Sequence, residues 1–159
     1  MHPNLTFHPL PAAPTPKALK AFREDAGWHE AGDAALNGAF APGSTVQWAA
    51  VQSGKKTIGI VRLELAPPQF CYLSELMILS EHRGQRVGEW FMEQIERFCL
   101  ARGIARVVLQ AHDDSRGFYE KLRFEADPVA AGFLKKDIHP LRRKPAFASA
   151  WSSVPGRPG

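Results

Sequence analysis

The residue types best suited to chemistry stand together in one stretch, Leu76-Met77-Ile78-Leu79-Ser80-Glu81-His82-Arg83-Gly84-Gln85-Arg86-Val87-Gly88. An apolar run ends, a short polar loop follows, and a glycine-bearing turn opens an amphipathic segment. The first turn of a helix exposes backbone N–H groups without helical partners and carries partial positive charge. Gly84 and Gly88 remove Cβ atoms where a ligand could approach the backbone. Arg83 and Arg86 add formal positive charge at the same place. This is the chemistry of an anion site, suited to a phosphate or pyrophosphate. The same features also describe an ordinary helix start with two solvated arginines, so the loop alone leaves both readings open.

A strand before the loop and a helix after it must position these groups. Val87, Phe91, Ile95, Phe98 and Cys99 recur on one helical face, whereas Glu89, Glu93, Glu96 and Arg97 lie largely off it. Gly103 follows where a left-handed helix-ending residue belongs. Upstream, three strands are predicted over 45–52, 57–65 and 70–79. Ser53-Gly54-Lys55 and Ala66-Pro67-Pro68-Gln69 separate them, and such short connections imply an antiparallel meander. Arg106 to Ala111 reads as an apolar strand buried on both faces, parallel to 70–79 with the helix crossing over. Asp113 or Asp114 can cap a short helix through Leu122. A last strand region starts at Phe124 and resumes over 132–138.

Near the N-terminus a short strand is predicted over 5–10. Thr15-Pro16 then has the pattern of an N-cap followed by proline at the first helical position, with Leu19, Phe22 and Ala26 on one face. A second helix is predicted over 31–40, ended by Pro42-Gly43. The pattern is that of a mixed α/β fold. One domain is expected over 1–144, followed by a Pro-, Gly- and Ser-rich tail over 145–159.

The bulk composition narrows the class. The chain has 159 residues, 45% hydrophobic and 23% charged, enough for one core without staples. A net charge of +4 favours anionic ligands but is too small to argue for nucleic acid, which is not expected as a partner. Arg142-Arg143-Lys144, the densest basic cluster, reads as a solvated segment. Cys71 and Cys99 make no disulfide framework and read as buried thiols. No metal-ligand spacing is found among the six histidines and two cysteines, so no metal is expected. Met1 to Pro16 lacks the features of a secretory signal, and no apolar run reaches membrane-span length; a cytoplasmic location without membrane association is the expectation.

Two motifs carry a family likeness. Arg83-Gly84-Gln85-Arg86-Val87-Gly88 resembles the acetyl-CoA signature of the GNAT superfamily of N-acetyltransferases, Arg/Gln-x-x-Gly-x-Gly/Ala after a strand. About thirty residues later, Phe118-Tyr119-Glu120-Lys121-Leu122-Arg123-Phe124 is similar to the family's second signature, a helix carrying FYEKLGF. Order and separation also match, and the resemblance covers roughly 45–139. It implies a mixed central sheet, antiparallel meander plus parallel β-α-β unit, flanked by helices.

The resemblance also implies acetyl-CoA as acyl donor. Leu76, Met77 and Ile78 would act through main-chain atoms between two splayed strands. The diphosphate would rest on backbone N–H groups from Arg83 to Glu89, thus Gly84, Gln85, Arg86, Val87 and Gly88. His112, standing where the family often has Asn, would hold the CoA arm with Ser115, Phe118 and Tyr119. The Ile78 N–H would be the oxyanion donor and Tyr119 the acid for the leaving thiolate. For the base, Glu75, His112 and His139 are the candidates. Glu64, Trp28, Trp48 and Phe40 are further residues that could reach the acceptor pocket, with a core or surface role the commoner reading. The acceptor would be an amine of a small molecule or peptide, attacking directly in a ternary complex. Homodimerisation is a family habit. A non-catalytic acyl-CoA-binding regulatory module of the same fold is the alternative. Two departures bear on local structure: Arg86 replaces the middle glycine of the first signature, and Arg123 replaces a glycine that often ends its helix left-handed.

Overall fold

The computed structural model describes residues 4–27 and 44–138. The helix predicted over 31–40, Trp28, Phe40, His139 and the tail lie outside the described residues. In chain order the elements are β1 (Leu5–Pro9), α1 (Pro16–Asp25), β2 (Thr45–Ser53), β3 (Lys56–Ala66) and β4 (Phe70–Ile78). A single 3-10 turn (Ser80–His82) leads to α2 (Val87–Ala101), β5 (Arg106–Gln110), α3 (Asp113–Lys121), β6 (Glu125–Ala126) and β7 (Phe133–Asp137). The strands form one sheet in the order β1-β2-β3-β4-β5-β7-β6. Neighbours pair antiparallel, except for the parallel pair β4 and β5 joined through α2. This is the mixed sheet expected.

The larger core lies on one sheet face. Val87, Phe91, Ile95, Phe98 and Cys99 of α2 pack there with Val61, Leu63, Cys71, Leu73, Val107, Leu109 and Leu134, as the helical spacing predicts. Fully buried side chains such as Phe91 and Ile95 each contribute about 1.5–3 kcal/mol relative to exposure. On the other face α1 sets Leu19 against Trp48, Ala50, Ile60 and Met77. Its start follows the expected capping: the Thr15 hydroxyl accepts from Ala18 N–H at 3.1 Å, with Pro16 in the first turn. Cys71 and Cys99 are free buried thiols in the first core, and their mutual hydrogen bond, with burial, pushes the Cys71 thiol up.

Three expectations are corrected. Glu96 is buried rather than off the packed face, and its carboxylate accepts from Lys136 Nζ of β7 at 2.8 Å. β5 alternates, with Val107 and Leu109 buried, Val108 half-buried and Gln110 exposed, since α2 and α3 pack on one of its faces. The N-cap of α3 is His112, without a side-chain cap bond; Asp113 and Asp114 fall in the first turn, where their charge suits the helix dipole.

Candidate active site

β4 and β5 are paired over only three positions, ending at Leu73 and Leu109. Beyond these β4 stays bonded to β3 up to Ile78. Its other edge, from Ser74 to Ile78, therefore has no strand partner among the described residues. A bulge marks the divergence: Ile60 pairs with Met77 and Arg62 with Ser74, so Val61 alone faces Glu75 and Leu76. Glu75 is left-handed there, with φ 54°.

A cavity of about 1200 Å³ opens in this splay. Glu75, Leu76, Met77, Ile78, Arg83, Gly84, Arg86, Val87, Gly88, Glu89, His112, Ser115, Phe118 and Tyr119 all line it. Of the predicted cofactor-binding residues, Gln85 is the one outside the lining. Arg23, Ala26, Gly27, Tyr72 and Ser74 extend the wall toward α1.

The approach to the glycine turn is held from several elements. Leu79 N–H donates to Ile58 O at 2.8 Å. The Asp25 carboxylate, at the end of α1, accepts from Ser80 N–H at 2.8 Å, Ser80 Oγ at 2.9 Å and Arg83 Nη2 at 3.3 Å. Glu81 pairs with Lys56. Arg83 Nε donates to Ile78 O at 2.9 Å, so this arginine braces the loop while lining the cavity. Gly84 and Arg86 are both left-handed, with φ 78° and 64°. Arg86 is the N-cap of α2 and gives no side-chain cap bond. The first helical bond at its carbonyl comes from Trp90 N–H, at 3.1 Å. The amides of Val87, Gly88 and Glu89 thus precede the helical ladder at the cavity wall.

The two predicted glycines differ in role. A Cβ on Gly84 would meet nothing within 4 Å, so its contribution is conformational. A Cβ on Gly88 would lie 3.1 Å from Phe118 Cζ, so that glycine lets α3 pack against the start of α2.

Tyr119 is 8% exposed, with its ring edge-on to Phe118 at 5.0 Å and to Phe124 at 5.6 Å. Burial pushes its hydroxyl well above the usual phenol range, so it stays protonated through neutral pH. The Ser115 hydroxyl donates to His112 O at 3.1 Å, fixing the turn that carries His112.

Glu75 meets an unforeseen partner. Arg23 Nε and Nη2 donate to its two carboxylate oxygens at 3.2 and 2.9 Å. Glu64 is 2% exposed and accepts from Arg62 Nη1 at 2.6 Å; neither lines the cavity, and Trp48 is a core residue under α1. The contacts of Arg23 and Asp25 join positions more than fifty residues apart in the chain. No local spacing could reveal them.

Comparison with known proteins gives four further findings. Residues 11–124 match the model of the acetyltransferase (GNAT) family. A 77-residue stretch is 32% identical to GCN5-related N-acetyltransferase 2, chloroplastic, of Arabidopsis thaliana; it spans 48% of this chain and only 30% of the plant protein. The fold is similar to that of the PaiA N-acetyltransferase of Thermoplasma acidophilum in complex with coenzyme A, with TM-score 0.63 and 13% identity over 84% of this chain and 98% of that one. It is equally similar to a GNAT family acetyltransferase of Elizabethkingia anophelis with acetyl-CoA bound, with TM-score 0.63 and 15% identity over 84% and 98%. No helix among the described residues is long and apolar enough to cross a membrane. With both signature segments on the wall of one cavity and the family model spanning most of the chain, the chain belongs to the GNAT acetyltransferase family.

Proposed function

We propose that this protein is an N-acetyltransferase that takes its acyl group from acetyl-CoA and passes it directly to an amine of a small molecule or peptide. The observation that carries this reading is the splay: β4 and β5 part after Leu73 and Leu109, and the cavity between them reaches both the uncapped start of α2 and the Arg23 and Tyr72 side. The residues present fit the donor. Left-handed Gly84 and Arg86 and the α2 amides suit a diphosphate. The partnerless β4 edge at Leu76, Met77 and Ile78 suits an extended amide-bearing arm.

Acetyl-CoA supplies a thioester whose carbonyl carbon is open to attack by an uncharged amine. The roles then fall to this chain's own groups. The main chain of Leu76 to Ile78 orients the arm, and the Ile78 N–H donates to the oxygen on which negative charge grows. Tyr119, on the cavity wall with its hydroxyl protonated at neutral pH, is the group we assign to give a proton to the departing sulfur. Glu75, which lines the cavity with both carboxylate oxygens accepting from Arg23, is the carboxylate we assign to take the proton of the incoming amine, one Arg23 bond giving way as it does so. Amine attack forms the C–N bond as the C–S bond breaks, and the two protons move in opposite directions on either side of the carbonyl.

Calorimetric titration with acetyl-CoA, followed by thiol release against a panel of amines, tests the reading. Saturable binding and amine-dependent thiol release are expected. Folded protein that binds no acetyl-CoA would refute it. Binding without turnover on any amine, unchanged in Tyr119→Phe, would favour the non-catalytic module.

A further inference from the structure

Glu75 carries backbone strain at the place on which the cavity depends. It is left-handed at φ 54°, a conformation that disfavours every residue but glycine. It belongs to the bulge where Glu75 and Leu76 share Val61, just beyond the last β4–β5 pair at Leu73 and Leu109. A bulge bends its strand, and here the bend coincides with the parting of the two strands. A register without the bulge would give Glu75 extended backbone and would free β4 to continue along β5.

The structure also shows what opposes that relaxation. Arg23, on the last turn of α1, reaches Glu75 with two parallel hydrogen bonds, Nε to Oε1 at 3.2 Å and Nη2 to Oε2 at 2.9 Å. The two side chains are only 10% and 13% exposed, so water screens the pair weakly. The fork fixes the direction of the carboxylate, not merely its charge. Since α1 is itself anchored through Leu19 on the sheet and through Asp25 on Ser80, Arg23 is a fixed post.

We propose that Arg23 is a positioning residue for the donor pocket. By holding the Glu75 carboxylate it keeps a non-glycine residue left-handed and so maintains the bulge that separates β4 from β5. The inference rests on the donor site proposed above and adds to it a reason why the pocket exists. It also makes Glu75 a structural pin, independently of any role in proton transfer.

The test uses acetyl-CoA binding by calorimetry in the full chain. Arg23→Met keeps the unbranched stem and loses the fork; its affinity for acetyl-CoA is expected to fall about tenfold or more. Glu75→Gly placed in that background removes the need for the pin, because glycine adopts φ 54° freely, whereas Glu75→Ala removes the same carboxylate, keeps the strain and should not recover. With glycine, affinity should return to within about threefold of the wild type, although turnover need not. Recovery of folding in the glycine double variant, where Arg23→Met alone unfolds, would carry the same meaning. The inference is overturned if folded Arg23→Met binds like the wild type, if the glycine double variant binds no better than Arg23→Met, or if both of these variants fail to fold. Wild-type protein that does not bind acetyl-CoA would instead overturn the functional reading beneath it.

Discussion

The substitution Arg123→Gly should stabilise this protein, and the fold contains its own control. α2 and α3 end in the same hydrogen-bond pattern. After α2, Gly103 N–H bonds Leu100 O and Ile104 N–H bonds Cys99 O, both at 3.0 Å; after α3, Arg123 N–H bonds Glu120 O at 3.0 Å and Phe124 N–H bonds Tyr119 O at 3.1 Å. Both are Schellman endings with a left-handed pivot, φ 76° in each case. One pivot is glycine and the other arginine. Left-handed backbone costs a non-glycine residue about 1–2 kcal/mol, and the greater unfolded-state freedom of glycine returns about 0.5–1 kcal/mol of that. The Arg123 side chain is exposed and makes no hydrogen bond or ion pair among the described residues, so nothing else is lost. The net expectation for Arg123→Gly is a gain of about 0.5–1 kcal/mol. Gly103→Ala should lose a similar amount, because a Cβ there meets nothing within 4 Å and only the backbone is strained. Urea unfolding reads both as opposite shifts in midpoint at unchanged slope, or about 1–4 °C in Tm at this chain length. Shifts of the same sign, or an Arg123→Gly protein less stable than the wild type, would refute the reasoning.

Tyr119→Phe should lower kcat by about a hundredfold or more while leaving the KM for acetyl-CoA near its wild-type value, as steady-state thiol release would show. Burial raises the folded-state pKa of Tyr119, so the folded protein keeps a proton that the unfolded chain releases above about pH 10. Stability is therefore full below that pH and falls as pH rises beyond it; alkaline unfolding of Tyr119→Phe should lack this share of the fall. Asp25→Ala removes three hydrogen bonds from the 80–83 segment at a partly exposed carboxylate. It should cost about 1 kcal/mol and speed amide exchange at Ser80, measured by NMR or mass spectrometry. Gly59→Ala puts a Cβ 2.6 Å from Ile78 Cδ1 and 2.7 Å from Val51 Cγ1. This overpacking should cost about 1–3 kcal/mol in urea unfolding.

What the sequence made legible follows the range of the interactions. α2 was readable because its buried side chains recur on one face, and the meander because its turns are short and rich in glycine and proline. The turn proposed to hold the donor was readable for a related reason: it consists of consecutive residues, and left-handed turns leave a trace in glycine. That trace was incomplete, since Arg86, Arg123 and Glu75 are left-handed without being glycine. Arg86 and Arg123 could be flagged as departures from a familiar pattern. Glu75 could not, because its conformation goes with a bulge in the pairing with β3 and with a partner, Arg23, that lies far away in the chain. The expectation that Glu96 lies off the packed face failed because helical periodicity reports the face toward the sheet. It cannot see that β7 brings Lys136 to the flank of α2.

The order of the constraints along residues 78–89 bears on how the site could work. Leu79 is tied to β3, Ser80 to α1, Glu81 to the start of β3, and Arg83 to both α1 and the carbonyl of Ile78. The ties therefore come from separate elements. The left-handed residues Gly84 and Arg86 come next, and the α2 ladder begins at Trp90. The backbone between the two anchors is short, and its direction is fixed at both ends. Amides presented in this way need little further ordering to meet an anion, so less of the interaction is spent on immobilising the loop. Ile78 is held in the same manner: its carbonyl accepts from Arg83 on one side while its residue pairs with Gly59 across the sheet. A group that must donate to a growing negative charge is most effective when it does not have to move to do so. On the reading proposed above, the bracing by Arg83 thus serves the reacting end of the cavity as well as the anion-binding end.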